Sequence, residues 1–590
     1  VRPLLNPIGF GAADFILLVW AALLVLLLLG AVRYEPPIRN FAARTRWVML
    51  FLVLLPIALR LALLAHAPIP LPRTPDDYSF ALSGDTLAHF RLANPAHPMR
   101  RFFETNFVLQ DPSYSSIYPL GQGIALAFGQ IVFHTQWAGV ALCAGLFCGL
   151  CYWMLRAWTT PLWALAGGLL AVFEFGPLQY WMNTYWGGSL AAAGGCLIFG
   201  SLPRLRARAG RRDAALLGLG FAIEWLTRPF ETALVGLGVA VFLAAAFRGR
   251  WRLLSGTALI AVLAFLPAGA LSLLQNRQVT GSWLTLPYML SQYQYGVPAS
   301  FTFQPNPTPH HPLTPEQRTF YDLQAAVHGN APGSFSAFVG RLTKRVRFAR
   351  FFFAAPLFLA LPAFLLALRR ARYRWVVLWL AILCLGTGFY PYFYPHYVAG
   401  GACLFVLVGV TALQQIARWS RWSTEFARLI FLLCTTHFLF WYGLHLFAGW
   451  EPALDLTERY ENWDYVNHGD PEGRIAIDRR LAQVPGKQLV FVRYWPQHGL
   501  SQWVANAADI DGSAVVRALD LGDTENQQLL HYYPDRTAWL LEPDAHPPRL
   551  TRYQVEAPPP AVPPAIVPLK SAPTKNKSPF EEIPPAPPDT

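Results

Sequence analysis

An all-α polytopic membrane protein is the fold class this sequence predicts, with about 12 transmembrane helices and a small extracytoplasmic α/β or α+β domain at the C-terminal end. Three observations carry that expectation. The 590 residues are 54% hydrophobic and 14% charged, where ordinary soluble proteins carry about 25% charge. The apolar residues fall in runs of the roughly 17–25 residues needed to cross a bilayer. The arginines sit in alternate short loops between those runs, as the positive-inside rule requires.

The predicted spans lie near 13–31, 46–65, 137–156, 160–176, 186–203, 213–228, 231–247, 253–274, 351–368, 374–390, 398–417 and 427–447. Arg33, Arg39 and Arg44 mark the first cytoplasmic loop. The run from Arg204 to Arg212, the trio Arg248, Arg250 and Arg252, the run from Arg369 to Arg374, and the pair Arg418 and Arg421 mark the others. Loops 177–185 and 391–397 hold no Lys or Arg and face the opposite side. Both termini then lie outside. The run 120–133 is read as an interfacial or re-entrant helix, because a span there would invert the Arg204 loop. Residues 66–136 and 275–350 are left as long external loops within a membrane domain of residues 1–449.

After residue 449 the polarity becomes ordinary. Runs such as Gln488–Tyr494 and Thr537–Leu541 are apolar and rich in β-formers, so 450–555 reads as a soluble external domain. Residues 556–590 are proline-rich and read as a disordered tail. The formal charge of +13 does not indicate nucleic acid, since the arginines follow membrane topology. Cys148 and Cys151 form a C-x-x-C inside a predicted span with no second pair, and apolar packing explains them better than metal or redox chemistry.

Four groups of polar residues gather at the external ends of the spans, where desolvation is costly and function is the usual reason. The first is Arg73-Thr-Pro-Asp76-Asp77-Tyr78, continuing through Asp85 to Tyr118-Pro-Leu-Gly121. Adjacent carboxylates there suit general-base work or a shared cation, although a solvated turn after Pro75 explains them about equally well. The second is Glu174 to Trp186, with Asn183. An interfacial aromatic belt accounts for its Trp and Tyr residues but not for Glu174. The third is Glu224-Trp-Leu-Thr-Arg228-Pro-Phe-Glu231, where Arg228 lies on the side that positive-inside topology disfavours. A local ion pair is the bland explanation, and an anionic ligand the sharper one. The fourth is Phe389 to Tyr397, with His396.

This pattern resembles the GT-C superfamily of integral-membrane glycosyltransferases, which takes in the protein O-mannosyltransferases, aminoarabinose transferases and RgtA/B/C/D-like enzymes. The resemblance covers residues 46–450. Asp76-Asp77-Tyr78 matches the acidic pair that opens the first external loop in those enzymes. Tyr118-Pro119-Leu120-Gly121 is similar to a degenerate form of their Lys-Pro-Pro-Leu element, without its Lys. Glu174 matches a later external carboxylate, and His396-Tyr397 a helix-end element. The span 13–31 is additional, and the pair is Asp-Asp rather than Asp-Glu.

The resemblance implies inverting transfer of a hexose or pentose from a polyprenyl-phosphate donor to an extracytoplasmic glycan, lipid or protein. Its setting would be a bacterial inner (plasma) membrane. Asp76 is expected as base, with Asp77 orienting the acceptor or sharing a divalent cation. Arg228 and His396 are expected to stabilise the leaving phosphate, and Glu174 and Asn183 to hold sugar or acceptor. Tyr118, Glu231 and Tyr397 complete the expected binding set. No cofactor beyond that cation is expected, and no nucleic-acid partner. A lipid or solute transporter, and a polysaccharide polymerase or ligase working through His310, His311 and Arg318, are the alternatives.

Overall fold

The computed structural model describes residues 12–29, 35–329, 334–447, 465–496 and 498–554. The proline-rich tail lies outside the described residues.

The first elements are α1 (Ala12–Leu29), α2 (Glu35–Ala43), α3 (Thr45–Ala62) and α4 (Pro75–Ala88). The strands β1 (Asn94–Pro95), β2 (Val108–Leu109) and β3 (Ser113–Ser116) follow. Next come α5 (Leu120–Phe133), α6 (Gln136–Leu155), α7 (Pro161–Phe175), the single turn α8 (Tyr180–Asn183), α9 (Ser189–Arg208), α10 (Arg211–Thr227) and α11 (Pro229–Ala246). The remaining helices of this part are α12 (Trp251–Thr280), α13 (Pro287–Tyr295), α14 (Pro315–His328), α15 (Phe335–Arg345), α16 (Phe364–Ala367), α17 (Ala371–Thr387), α18 (Ala402–Ala417) and α19 (Arg421–Leu446).

Among the described residues, six segments are long and apolar enough to cross a membrane: 45–65, 136–155, 229–246, 251–280, 395–417 and 421–446. Shorter apolar helices pack among them, and the chain is an integral multi-pass membrane protein. At 14 residues, α5 is about 21 Å long, too short for the roughly 30 Å hydrocarbon core. It packs against α4, α6 and α10.

The predicted span 351–368 is not one helix. It is a chain of 3₁₀ turns, Val346–Phe352, Ala355–Leu359 and Leu361–Ala363, ending in the short α16. Pro356 and Pro362 lack the N–H groups a continuous i→i−4 ladder needs.

Close backbone contact fixes the segment 395–401 against α9 and α10. A Cβ on Gly195 would sit 1.9 Å from the Gly400 carbonyl oxygen, and one on Gly400 would sit 2.4 Å from Glu224 Oε1. Only glycine fits either position.

Beyond the membrane helices, the C-terminal part holds α20 (Arg474–Ala482), β4 (Lys487–Val492), β5 (Val515–Leu519), α21 (Asp523–Tyr532), β6 (Arg536–Glu542) and β7 (Arg549–Arg552). The strand order is β5-β4-β6-β7. β4 runs parallel to β5 and β6, while β7 closes the edge antiparallel. Alternation along β4 sends Leu489 and Phe491 to one face and Val490 and Val492 to the other. The second face packs on Ile477 and Leu481 of α20. The first packs on Phe102, Phe103, Val108 and Tyr114 of the loop after α4.

Polar bonds reinforce that docking. Tyr114 donates to the Asn506 carbonyl at 3.0 Å, and the Ala508 N–H donates to Asp85 Oδ2 at 2.7 Å. The Gln502 N–H reaches the Arg73 carbonyl at 2.8 Å. Asp85, one of the external carboxylates, is therefore occupied in holding the sheet; its Oδ1 accepts from Gln130 at 2.7 Å.

Candidate active site

The start of α4 separates the two adjacent aspartates. Thr74 is the N-cap and Pro75 the first helical residue, with Thr74 and Asp77 forming a reciprocal capping box. Asp77 is buried at 3% exposure. Its Oδ2 accepts from the N–H groups of Arg73 and Thr74 and from the Thr74 hydroxyl, each at 3.1 Å. Its Oδ1 accepts from the Tyr185 N–H at 2.8 Å. The carboxylate of Asp77 thus ties the head of α4 to the 184–188 turn. Both oxygens are taken by N–H and O–H donors, so the pair does not fit as a shared cation site.

Asp76 points elsewhere. It is half-buried, and Oδ1 accepts a short hydrogen bond from the Tyr118 hydroxyl. No hydrogen bond from a described residue reaches Oδ2. Burial lifts its carboxyl to about 6; the Tyr118 hydrogen bond opposes the rise, the Asp77 charge adds to it, and the Arg228 charge opposes it. Burial and the Asp76 charge push the Tyr118 phenol well up, so it remains a donor.

Arg228 lies between α10 and α11, capping the first and preceding the Pro229 that starts the second. Its guanidinium lies over the Tyr397 ring, 5.0 Å from the centroid, a cation–π arrangement. It makes no hydrogen bond or close ion pair among the described residues. Glu231 is buried and accepts from the Tyr390 hydroxyl at 3.3 Å. Its charge is felt at Arg228, and the phenols of Tyr397, Tyr390 and Tyr118 lie within electrostatic reach of the same guanidinium. Tyr288 and Tyr392 lie within electrostatic reach of Asp76 as well. The result is a tyrosine-rich cluster around one carboxylate and one guanidinium. Asp76, Tyr118, Arg228 and Tyr397 all remain half-buried.

His396 packs edge-on against the Tyr397 ring at 4.8 Å. It is buried, and Nδ1 lies 3.1 Å from the Tyr180 hydroxyl, which also accepts from the His396 N–H at 3.1 Å. Tyr394 stacks on the imidazole at 5.5 Å, and Trp186 packs edge-on at 5.6 Å. Trp186 Nε1 donates to the Thr74 hydroxyl at 2.9 Å, joining these rings to the head of α4.

Two expected residues have other work. Asn183 is buried; its Oδ1 accepts from Arg60 Nε at 2.7 Å, and its Nδ2 donates to the Pro177 and Gln179 carbonyls, each at 2.9 Å. Its amide is fully used in shaping the α8 turn. Glu174 stands beside Cys434 of α19, and no hydrogen bond joins it to a described residue. It is not gathered with Asp76 and Arg228.

Sequence reasoning missed Arg60, 1% exposed, whose NH1 and NH2 also donate to the Ala67 and Pro68 carbonyls at 3.0 Å. Its signal was an arginine inside a span, near the end that positive-inside topology disfavours. It also missed Tyr288, for which the sequence gives no signal beyond belt composition, and it held Tyr392 within the Phe389–Tyr397 group without singling it out.

No family model matches the chain, and no curated protein matches it. Among solved structures it is similar to ArnT from Cupriavidus metallidurans bound to undecaprenyl phosphate. The identity is 13%, the coverage 83% of this chain and 92% of that one, and the TM-score 0.48. The apo state of the same protein gives 14% identity, 85% and 93% coverage and a TM-score of 0.48. The archaeal oligosaccharyltransferase AglB from Archaeoglobus fulgidus, in complex with an inhibitory peptide and a dolichol-phosphate, gives 10%, 84% and 69%, and 0.39. Likeness of this degree carries no functional argument, and the site stands on its own side chains.

Proposed function

We propose that this chain is a membrane glycosyltransferase that moves a sugar from a polyprenyl-phosphate donor to a hydroxyl outside the cytoplasm, with inversion. The observation that supports this most is the pairing of Asp76 with Arg228. Among the described residues, one oxygen of that carboxylate receives no hydrogen bond from another residue, and the guanidinium whose charge reaches it has no close ion pair.

The acceptor O–H would lose its proton to Asp76 Oδ2 as its oxygen bonds to the anomeric carbon. The bond from that carbon to the phosphate oxygen breaks, and the polyprenyl phosphate departs with the electron pair. Arg228 neutralises the growing phosphate charge, and its fork geometry suits two phosphate oxygens. Tyr118 holds Asp76 in place. Asp77 is assigned a positioning role at the helix head. His396 orients the Tyr394 and Trp186 wall and does not contact phosphate. No step runs through a metal ion.

The polymerase or ligase alternative would lean on His310, which is stacked on Tyr293 at 4.0 Å with Nδ1 2.8 Å from the Tyr293 carbonyl. That placement supports a packing role instead.

The test uses the full chain in lipid nanodiscs with short-chain polyprenyl-phosphate hexoses and pentoses and a mixed extracytoplasmic glycan and glycolipid acceptor fraction. Wild type should transfer label. Asp76→Asn should lose about 10²–10⁴-fold, the usual worth of a general base. Undiminished transfer by a folded Asp76→Asn would remove the assignment.

A further inference from the structure

A cavity of about 560 Å³ opens between the C-terminal sheet, the loop after α4 and the head of α14. Residues that directly follow β4 and β5 line it, among them Tyr494, Trp495 and Asp520. These positions lie together at the carboxyl ends of the adjacent parallel strands β4 and β5.

The lining has a definite chemistry. Trp495 is 43% exposed and Phe320 is half-buried, so flat apolar faces are available. Asn106 is only 8% exposed, and its Oδ1 has no hydrogen-bond partner among the described residues. The neighbouring Thr105 Oγ1 is likewise buried without one. The amide and hydroxyl side chains of Thr105, Asn106, Gln317 and Ser501 on the wall suit a ligand rich in hydroxyls.

The charges disfavour an anion. Glu104 and Glu316 face the space, and the one guanidinium, Arg493, is already bonded to Asp520 at 2.5 Å. His498 is bonded to Asp544 at 2.6 Å. The volume falls within the range of about 300–1,000 Å³ typical of small-molecule sites. The cavity also reaches Pro75, the residue before Asp76.

We infer that this cavity binds a neutral, hydroxyl-rich saccharide, the non-reacting part of the acceptor glycan. The acceptor role rests on the transfer reading above, whereas the saccharide binding does not. Trp495 would stack on the apolar C–H face of a sugar ring, and the amide and hydroxyl side chains of the wall would exchange hydrogen bonds with its hydroxyls.

Binding alone is read, by saturation-transfer NMR on the full chain in nanodiscs with mannotriose, chitotriose and trigalacturonate. Wild type should bind a neutral trisaccharide and not the anionic one. Trp495→Ala, at an exposed position, should weaken binding about tenfold, in line with roughly 1.4 kcal/mol for a lost stacking face. Thr319→Trp, at an exposed position on the cavity wall, should block it. Asp76→Asn should bind like wild type. Binding of neither neutral probe, a preference for trigalacturonate, or equal binding by both cavity variants would overturn the inference. A chain that binds mannotriose or chitotriose in this pattern but transfers nothing would keep this site and lose the transferase reading.

Discussion

Asp76 and Asp77 are identical residues with different environments, and the difference is electrostatic and geometric. Asp77 accepts from the N–H groups of Arg73, Thr74 and Tyr185; Asp76 accepts from one phenol. The adjacent pair was legible in the sequence, because two carboxylates at a span end are costly. Their division of labour was not, since it depends on Tyr185, 108 residues away. The raised Asp76 carboxyl, about 6 against 3.8, sets two expectations. Tyr118→Phe removes a bond that lowers it, so the rising limb of activity should move to higher pH in a kcat/KM profile. Asp76→Asn should stabilise the fold above about pH 6 by up to about 3 kcal/mol, with the gain vanishing below about pH 4, because the folded state disfavours the ionised form. Thermal melting across that range checks the sign.

Elements place these residues by features of unequal visibility. The Thr74-Pro75 start of α4 reads plainly as an N-terminus. The 3₁₀ chain over 346–363 was hidden by composition: its apolar residues suggest a span, and only Pro356 and Pro362 hint otherwise. The Gly195–Gly400 contact was invisible, because it joins α9 to a turn two hundred residues later. Glu174 and Asn183 misled for a related reason. Sequence can place a residue at a span end but cannot give its azimuth; Glu174 lies within electrostatic reach of Cys434 on α19, and Asn183 is taken up by Arg60. Thr74→Ala should cost about 1 kcal/mol of stability through the lost cap and also free Trp186 Nε1. Reduced kcat with little change in KM is expected. Gly400→Ala should be more damaging than its single methyl suggests, because Glu224 must move; cysteine-crosslinking or a melting shift of several degrees would register it.

At the scale of the molecule, membrane character and a C-terminal sheet were readable from composition and from runs rich in β-formers. Their joining was not. β4 is buried on both faces, and its Leu489–Phe491 face is covered by the loop after α4 together with Leu529 of α21. Phe491→Ala should therefore cost about 3–5 kcal/mol and loosen α4 as well as the sheet. Hydrogen exchange should show both segments losing protection together.

The account centres on Asp76 as the base that receives the acceptor proton. Its most direct measurement is the pH dependence of single-turnover sugar transfer by the nanodisc-held chain, wild type beside Asp76→Asn. The account predicts a wild-type rate that rises with pH through about 6 and levels above it, and a variant slower by about 10²–10⁴-fold with that limb gone. A folded Asp76→Asn chain that keeps the wild-type rate and the same limb would contradict it.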